Sequence, residues 1–331
     1  MINTIVVVGL GSMGRRRLSL LKKLRPGLRL CGVDLEERRC QQAEETLSIP
    51  VYASLSEAVQ AQNPDAAVIS TSPLSHAAII RECLLAGLHI FTEINLVSDG
   101  YEENMALAKE KNRVLFLSST FLYRSETRYI IDRTKGSTKP LNYRYHTGQY
   151  LPDWHPWENY TDYFVGDSRT NGCREVFAIE LPWLTAAFGP ITNIQTLHGK
   201  CSDLRISYSD SYMLLLQHES GHMGSLCVDV VSRKAGRQFE AYGEDLYLSW
   251  AGDPSSLYDW DIEKKEDRQV SLYETVEHRE GYSKFIVENA YTEELTAFLN
   301  QIEHGQKVPY TFEDDLLTLQ WIDKIEGREA P

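Results

Sequence analysis

The pattern of hydrophobic and polar positions changes near residue 120. Before it, short continuous apolar runs such as Ile5–Val8 alternate with stretches of helical period. Continuous apolar runs are typical of parallel strands that are covered on both faces. The predicted strands are 5–8, 28–33, 51–52, 66–71, 89–93 and 114–118, and the predicted helices are 13–24, 35–47, a short one from 56, 75–86 and 101–111. Repeated β-α-β units predict a doubly wound parallel sheet.

After residue 121 the pattern has period two, with glycine turns between the runs, which predicts a large and mostly antiparallel open sheet. The runs are 142–149, 191–198, 211–218 and 224–231, and helices are predicted at 176–188, 287–303 and 312–325. The predicted fold class is therefore α/β with a C-terminal α+β part. We expect a domain of residues 1–120 and a second of 121–331 for substrate binding and oligomerisation, with the last helix a candidate to pack back on the first domain.

A glycine-rich turn directly follows the first predicted strand and opens a helix. Gly9, Gly11 and Gly14 match the pattern G-x-G-x-x-G. The first glycine permits a tight turn, the second lets backbone approach a pyrophosphate, and the third lets helix and strand pack closely. Backbone N–H groups of Ser12 and Met13 would then help to bind the phosphates at the helix start. The motif predicts a Rossmann domain that binds a dinucleotide, and the alternative is an ordinary glycine turn.

An acidic residue predicts the type of dinucleotide. Asp34 lies 20 residues after Gly14 at the end of the second predicted strand. A carboxylate there bonds a ribose 2′-hydroxyl and repels a 2′-phosphate, so NAD is favoured over NADP. Arg38 and Arg39 lie close enough to weaken this preference. The basic cluster 15–17 is predicted to meet cofactor phosphates or to form an exposed helix face.

A second group of motifs carries a family resemblance. Thr71-Ser72-Pro73, His76 and the run 86–93 (AGLHIFTE) follow the glycine loop in order. With that loop they resemble the glucose–fructose oxidoreductase / inositol dehydrogenase (Gfo/Idh/MocA) family. The resemblance implies hydride transfer between a nicotinamide and a sugar or polyol carbon, and an open C-terminal sheet that mediates oligomerisation. The cofactor contacts that it implies are Thr71, Ser72, Pro73, His76, Glu93 and Asn95.

The chain departs from this family at the residues that handle protons. The family reads Glu-Lys-Pro where residues 93–95 read Glu-Ile-Asn, and the helix that should carry a catalytic histidine has none. Ile179 or Glu180 occupies that position, and of the two only Glu180 can accept a proton. Glu180 is therefore a candidate catalytic base, and the alternative is a structural ion pair with Arg174.

The segment 146–160 is a candidate substrate loop, because it contains two His, two Trp and two Tyr among polar residues. Aromatic rings offer flat apolar surfaces to sugar C–H faces, and polar side chains bind hydroxyls. The alternative is an aromatic-rich dimer contact. His146 and His155 are further acid/base candidates. The substrate-binding candidates are Gln149, Tyr150, Trp154 and Trp157, with Arg124, Arg169 and Arg174 for a carboxylate or phosphate group.

Composition excludes several other classes of protein. With 34 basic and 47 acidic residues the net charge is −13, which argues against a nucleic-acid partner or an anionic membrane surface. No apolar run reaches the roughly 18 residues of a membrane span. Six cysteines without a C-x-x-C pair, and a chain that starts directly on a strand-like run, lead us to expect a cytoplasmic protein. No metal is expected, because the zinc-protease pattern His218–His222 lies between two predicted strands rather than on a helix.

These features lead us to expect an NAD-dependent oxidoreductase of class EC 1.1.1.-. Its substrate would be a hydroxyl or carbonyl of a sugar, sugar acid or nucleotide sugar, and its acid/base residues would not be the family's usual ones. One alternative is a non-catalytic NAD-binding regulator or partner subunit. Another is a redox-neutral, NAD-using sugar epimerase or lyase. The expected assembly is a homodimer or homotetramer formed through the C-terminal sheet.

Overall fold

The computed structural model describes residues 1–276 and 287–328, and its chain divides into two compact units. Unit 1 comprises residues 1–119 and 291–317. Unit 2 comprises the described residues of 120–290 and 318–331. Unit 1 therefore includes a C-terminal segment that is far along the chain from its other residues.

Unit 1 is built from alternating strands and helices. In chain order these are β1 (Thr4–Val8), α1 (Ser12–Leu24), β2 (Arg29–Val33), α2 (Glu37–Leu47), β3 (Val51–Tyr52), α3 (Leu55–Gln62), β4 (Ala66–Ile69), α4 (His76–Leu85), β5 (His89–Thr92), α5 (Tyr101–Glu110) and β6 (Leu115–Leu117). Six parallel strands form one sheet in the order β3-β2-β1-β4-β5-β6. The order reverses between β1 and β4, and such switch points are where doubly wound sheets bind ligands.

The core of unit 1 is apolar on both faces of its sheet. Every residue of β1 and β4 is buried, as the continuous apolar runs predict. Helix α8 (Glu288–His304) adds Phe298, whose ring lies 5.6 Å from the rings of both Phe91 and Phe116. This aromatic group fixes α8 against the strands β5 and β6.

Unit 2 contains a long sheet and the helices that cover it. Its elements are α6 (Ser125–Lys135), β7 (Asn142–Gly148), α7 (Gly172–Phe188), β8 (Ile191–Gly199), β9 (Ser211–His218), β10 (Met223–Asp229), β11 (Gly236–Tyr242), β12 (Tyr247–Trp250), β13 (Tyr258–Asp261), β14 (Glu266–Gln269) and the end of α9 (Phe312–Ile325). Eight strands pair in the order β14-β13-β12-β11-β7-β10-β9-β8, antiparallel except for β7 and β10. The predicted fold class is confirmed, although α6 and the strands β11 to β14 were not predicted from the hydrophobic pattern.

The two faces of the unit 2 sheet differ. On one face, Tyr143 stacks on Phe188 of α7 at 4.3 Å, and Tyr145 meets Trp183 at 5.5 Å. The opposite face exposes several large apolar side chains. Leu197, Met213, Leu215 and Met223 are 73 %, 57 %, 58 % and 51 % exposed. None of the described helices is long and apolar enough to cross a membrane.

Candidate functional site

The glycine loop of unit 1 connects β1 to α1 at the switch point of the sheet. Gly9 has φ +91°, and a Cβ there would lie 2.5 Å from the carbonyl oxygen of Ser70. A Cβ on Gly14 would lie 1.8 Å from the Gly9 oxygen, so these two positions accept only glycine. Around Gly11 no atom would come within 4 Å of an added Cβ. The loop is therefore closely packed at both ends and open at its middle.

Asp34 holds this loop at the end of β2. Its Oδ2 accepts a hydrogen bond from the Leu10 N–H at 2.7 Å, and its Oδ1 accepts one from the Glu36 N–H at 2.9 Å. Arg39 lies 3.8 Å from the Asp34 carboxylate but bonds Glu36 at 2.7 Å. Arg38 also pairs with Glu36, at 3.3 Å. Both arginines thus have a carboxylate partner besides Asp34.

The loops that follow β4 and β5 are connected by a buried histidine. His76 Nδ1 lies 2.6 Å from Asn95 Oδ1, and His76 Nε2 lies 3.1 Å from the Thr71 carbonyl oxygen. Both side chains are 2 % exposed, and burial lowers the pKa of His76. The structure places these two predicted cofactor contacts inside the protein, where His76 joins Asn95 to the backbone of Thr71. Their contact with a cofactor stays a prediction.

Glu93 lies next to this pair, at the end of β5, and is tied to a buried cation. The Arg17 guanidinium donates to both Glu93 oxygens at 2.7 and 3.0 Å, and it also bonds Glu294 of α8 at 2.8 Å. Ser118 donates to Glu294 at 3.0 Å. The Glu93 side chain keeps 12 % exposure, whereas those of Arg17 and Glu294 have none. One edge of the Glu93 carboxylate therefore remains near the surface.

The prediction for the basic cluster 15–17 is wrong for two of its residues. Arg16 is 2 % exposed and lies 4.6 Å from the ring of Tyr291, and Arg17 is fully buried between carboxylates. Arg15 bonds the Leu10 carbonyl oxygen and Gln42. Sequence reasoning missed this because the partner carboxylate, Glu294, lies 277 residues away.

The candidate substrate loop of unit 2 forms an aromatic stack. His155 lies between Trp157 and Tyr163, with ring centroids 5.1 and 4.7 Å away and planes within 22° of parallel. Its Nδ1 lies 2.6 Å from Glu158 Oε1. Trp157 is 66 % exposed. The stack, defined by these three rings, presents a flat aromatic surface beside a histidine–carboxylate pair.

The remaining members of the loop hold its shape. Trp154 donates its indole N–H to the Gln149 carbonyl oxygen at 3.2 Å, and Gln149 reaches the Asp153 carbonyl oxygen at 3.4 Å. The Tyr150 ring lies under the Arg233 guanidinium at 3.6 Å. Arg169, further along the chain, is exposed. The roles of these residues in binding a substrate stay predictions.

His146 forms a second histidine–carboxylate pair. Its Nε2 lies 2.7 Å from Asp229 Oδ2 on the neighbouring strand β10. Burial opposes ionisation of Asp229, but hydrogen bonds from His146, Val231 and Ser232 lower its pKa. The hydrogen bond to Asp229 raises the pKa of His146. A side chain at Gly148 would collide with Asp229, its Cβ lying 2.5 Å from Oδ2, so the glycine makes room for this pair.

Glu180 is fully buried, and both oxygens of its carboxylate already have hydrogen-bonding or ion-pair partners. It accepts hydrogen bonds from Tyr145 at 2.8 Å and from Trp183 at 2.7 Å, and its ion-pair partner is Arg237 at 3.0 Å. The partner is not Arg174, which the sequence suggested. These contacts favour the structural interpretation of Glu180, and its role as a base stays an untested prediction.

Two predicted substrate-binding arginines also lie in buried ion pairs. Arg174 bonds Glu326 at 2.6 Å and Asp323 at 2.8 Å, and Arg124 bonds Glu126 at 2.6 Å. Both arginines are 2 % exposed. A guanidinium that is already paired and buried has little capacity for an anionic substrate, so these contacts speak against that role.

The zinc-protease pattern lies on a hairpin, as predicted. Strand β9 ends at His218 and β10 starts at Met223. His218 hydrogen-bonds the Gly189 carbonyl oxygen, and His222 accepts the N–H of Leu141. Across the residues that the structure describes, no three His, Cys, Asp or Glu side chains are grouped as a metal ion would require.

A family model fits the N-terminal part of the chain. Residues 3–119 match the GFO_IDH_MocA model, described as "Oxidoreductase family, NAD-binding Rossmann fold". This part of the chain is therefore similar to the Gfo/Idh/MocA oxidoreductase family. The predicted resemblance is confirmed for these residues, which are those that carry the glycine loop, Asp34 and Glu93.

Relatives extend over nearly the whole chain. Myo-inositol 2-dehydrogenase from Thermotoga maritima is 22 % identical over 95 % of this chain and 92 % of its own length. An oxidoreductase from Agrobacterium radiobacter, solved with NAD⁺, L-tartaric acid and magnesium, superposes with a TM-score of 0.82 at 11 % identity, over 99 % of this chain and 97 % of that one. UDP-N-acetylglucosamine 3-dehydrogenase GnnA from Acidithiobacillus ferrooxidans has a TM-score of 0.76 at 16 % identity, over 98 % and 97 %. These structural likenesses establish a shared fold.

The residues present in unit 1 fit the dinucleotide that the family model describes. The middle of the loop at Gly11 is open, and no side chain caps the start of α1. An uncapped helix start with approachable backbone suits a pyrophosphate. Asp34 is partly exposed and offers carboxylate oxygens at the end of β2.

Two glycine substitutions test separately the close packing at the ends of the loop and the open space at its middle. Gly14→Ala should lower the free energy of unfolding by about 1–3 kcal/mol, because its Cβ would overlap the Gly9 oxygen. Gly11→Ala should leave stability within roughly 0.5 kcal/mol, since its Cβ meets nothing. It should nevertheless weaken NAD binding about tenfold or more, because the methyl group occupies the open approach. Urea unfolding and calorimetric titration measure these effects. If Gly11→Ala bound NAD with wild-type affinity, the loop could not be part of the cofactor site.

The pair of His146 and Asp229 predicts a specific titration. His146 should titrate above the ordinary value of about 6.5, and Asp229→Asn should return its pKa towards that value. Since the folded pKa is raised, protonated His146 stabilises the fold at lower pH, and this contribution disappears as pH rises through the folded pKa. Ring-proton NMR against pH measures both values, with the exposed His198 as internal control. An unchanged His146 titration in the variant would contradict the assignment.

Proposed function

We propose that this protein is an NAD-dependent oxidoreductase that interconverts a hydroxyl and a carbonyl group on a sugar, sugar acid or nucleotide sugar. The observation that carries the proposal is the glycine loop, closely packed at Gly9 and Gly14 and open at Gly11. It lies at the switch point of a sheet whose residues match an oxidoreductase family model. When bound, NAD supplies the hydride chemistry, and the protein supplies orientation and proton transfer.

The environment of Asp34 supports NAD over NADP. A carboxylate at this position bonds the ribose hydroxyls and repels a 2′-phosphate. The neighbouring Arg38 and Arg39 both pair with Glu36, so their charges are partly balanced within the chain. In this proposal Glu93 contributes a polar edge at the end of β5, with the loops around Thr71 and Asn95 oriented by His76.

The aromatic stack supports a sugar-type substrate. A sugar ring presents apolar C–H faces that pack on exposed aromatic rings, and Trp157 offers such a ring. His155 lies beneath it, with Nδ1 bonded to Glu158, which leaves Nε2 of the neutral ring as a proton acceptor. The names of two relatives point the same way, since one acts on myo-inositol and another on UDP-N-acetylglucosamine.

A non-catalytic NAD-binding regulator is the second candidate. It is favoured by Ile94, which stands where the family has its lysine, and by the complete engagement of Glu180. Such a protein would bind NAD tightly and turn over no sugar.

The test combines binding and turnover. Calorimetric titration should give an affinity for NAD at least about tenfold higher than for NADP. A panel of polyols, sugar acids and nucleotide sugars, read at the NADH absorbance, should contain at least one substrate. Trp157→Ala should raise the KM of that substrate with little change in NAD affinity, because the lost ring contacts the sugar alone. The partly exposed Trp321, at the other end of the sequence, gives a control as Trp321→Ala. Tight NAD binding with no turnover across the panel would favour the regulator.

We also propose that the exposed face of the unit 2 sheet joins copies of the chain, as a homodimer or homotetramer. Leu197 and Met213 are opposite each other in the register of β8 and β9, with Leu215 further along β9, so their exposed side chains form one apolar area. Leu215→Asp should shift the sedimentation coefficient to that of a monomer, and the equally surface-exposed Leu317→Asp should not. A monomeric wild-type protein would refute this assembly.

A further inference from the structure

The loop that joins β10 to β11 in unit 2 carries two neighbouring cations. Arg233 and Lys234 are both exposed, in a chain whose net charge is −13. Within the part of the chain that the structure describes, no carboxylate oxygen lies within 4 Å of a side-chain nitrogen of either residue. On the adjoining strands β7 and β11, by contrast, Arg144 and Arg237 each bond a glutamate. The loop is therefore a local positive patch on an acidic protein.

An aromatic ring positions the Arg233 guanidinium. Its central carbon lies 3.6 Å from the centroid of the Tyr150 ring. Such stacking uses the planar face of a guanidinium, whereas its five N–H donors point outwards in the plane. Among the described residues these donors have no hydrogen-bond acceptor. The cation therefore keeps the adjacent N–H groups with which an arginine binds a carboxylate or a phosphate through two parallel hydrogen bonds.

The acidic residue closest to Arg233 in sequence is engaged elsewhere. The Asp229 carboxylate accepts hydrogen bonds from the backbone N–H groups of Val231 and Ser232 and from the Ser232 hydroxyl. It also pairs with His146 at 2.7 Å. These bonds bend the chain directly after β10 and fix the residue that precedes Arg233. The carboxylate thus shapes the loop and leaves the charge of Arg233 uncompensated.

The cation and the candidate substrate loop start from the same edge of the unit 2 sheet. Gly148, at the end of β7, lies opposite the last residue of β10 and the first residue of β11. The candidate substrate loop continues from this point, and Leu151 donates its N–H to the Val230 carbonyl oxygen at 2.9 Å. Tyr150 therefore connects Arg233 to the segment that continues to the aromatic stack.

We propose that Arg233, with Lys234 beside it, binds the carboxylate or phosphate group of an anionic sugar whose ring packs on the aromatic stack. The inference rests on the proposed function and narrows its substrate to sugars that carry such a group. Both groups present the same chemistry, two oxygens that accept from one guanidinium. Arg124 and Arg174, which the sequence alone suggests for this task, are buried in ion pairs. Arg233 replaces them because it is exposed and has no carboxylate partner.

The first experiment compares substrates that share one sugar ring. Each sugar of the panel is offered as the neutral sugar, as its uronic acid and as its phosphate or nucleotide ester, with NAD as the oxidant. At least one anionic form should have a kcat/KM about tenfold or more above that of the neutral sugar. A preferred uronic acid identifies the group as a carboxylate, and a preferred ester identifies it as a phosphate. A neutral sugar as the best substrate would overturn the inference and leave the oxidoreductase function standing.

Substitutions test the residue itself. Arg233→Gln should raise the KM of the anionic substrate about tenfold or more and leave kcat and NAD affinity near wild type, because the lost contact is equal in ground and transition states. The KM of the neutral sugar should not change. Arg233→Lys should recover part of the loss, since it keeps the charge without the two parallel donors. The control Arg29→Gln removes an exposed arginine at the start of β2 and should change neither KM.

Salt provides a measurement that a merely structural role would not move. The wild-type KM of the anionic substrate should rise with ionic strength, because screening weakens the attraction, and this rise should be smaller in Arg233→Gln.

If NAD binds but no sugar is turned over, calorimetric titration of the same panel decides. An anionic sugar should bind the wild type and bind Arg233→Gln about tenfold more weakly. Equal KM or equal affinity in the two proteins would overturn the inference, and so would a panel in which no anionic sugar binds. A wild-type protein that neither binds NAD nor turns over a sugar would overturn the proposed function and this inference with it.

Discussion

The buried guanidinium of Arg17 is the constraint on which unit 1 depends. Removing such a cation from water costs several kcal/mol, and that cost is offset only when carboxylates and hydrogen bonds surround it. Glu93 supplies two hydrogen bonds from the end of β5 and Glu294 supplies another from α8. Helix α8 must therefore pack on the parallel sheet although it comes from the far end of the chain. The same contacts fix the Glu93 carboxylate at the edge of the sheet where the glycine loop opens.

Unit 2 uses the same principle in a different geometry. Glu180 is held by Arg237, and Arg174 is held by Glu326 and Asp323 at the start of α7. Breaking such a pair leaves a buried charge without a partner, so a substitution of either residue strongly destabilises the fold. They are consequently poor candidates for groups that must change protonation or bind a passing anion. The partners of a charged group therefore indicate whether it stabilises the fold or is available for chemistry.

The parts of the fold that follow from local pattern could be predicted from the sequence. The apolar runs of unit 1 and the period-two runs of β7 to β10 predict strands. They do so because the buried face of a strand is formed by apolar residues of that same strand. Strand β14 was missed because all of its residues are exposed, and it carries no apolar signal. Helix α6 was missed although its buried residues recur with helical period.

The candidate site shows where sequence reasoning stops. The glycine loop is local, and its packing agrees with the motif. The partner of a buried charge is not local: Glu180 pairs with a residue 57 positions away and Arg17 with one 277 positions away. Glu175 differs from Glu180 by a buried Oε2 atom without a hydrogen-bond partner, and no pattern in the sequence shows this difference.

Two carboxyls five positions apart on α7 thus have environments that push them towards different tasks. The carboxylate of Glu180 is neutralised by an arginine, whereas burial raises the pKa of the Glu175 carboxyl to about 7. Chemistry at pH 7 requires that second kind of group, because a fully paired carboxylate would have to break its ion pair in every turnover. Neither the isoleucine at position 94 nor the lack of a histidine in α7 therefore rules out proton transfer by another group. A carboxyl without an arginine partner is better suited to that task than one inside an ion pair.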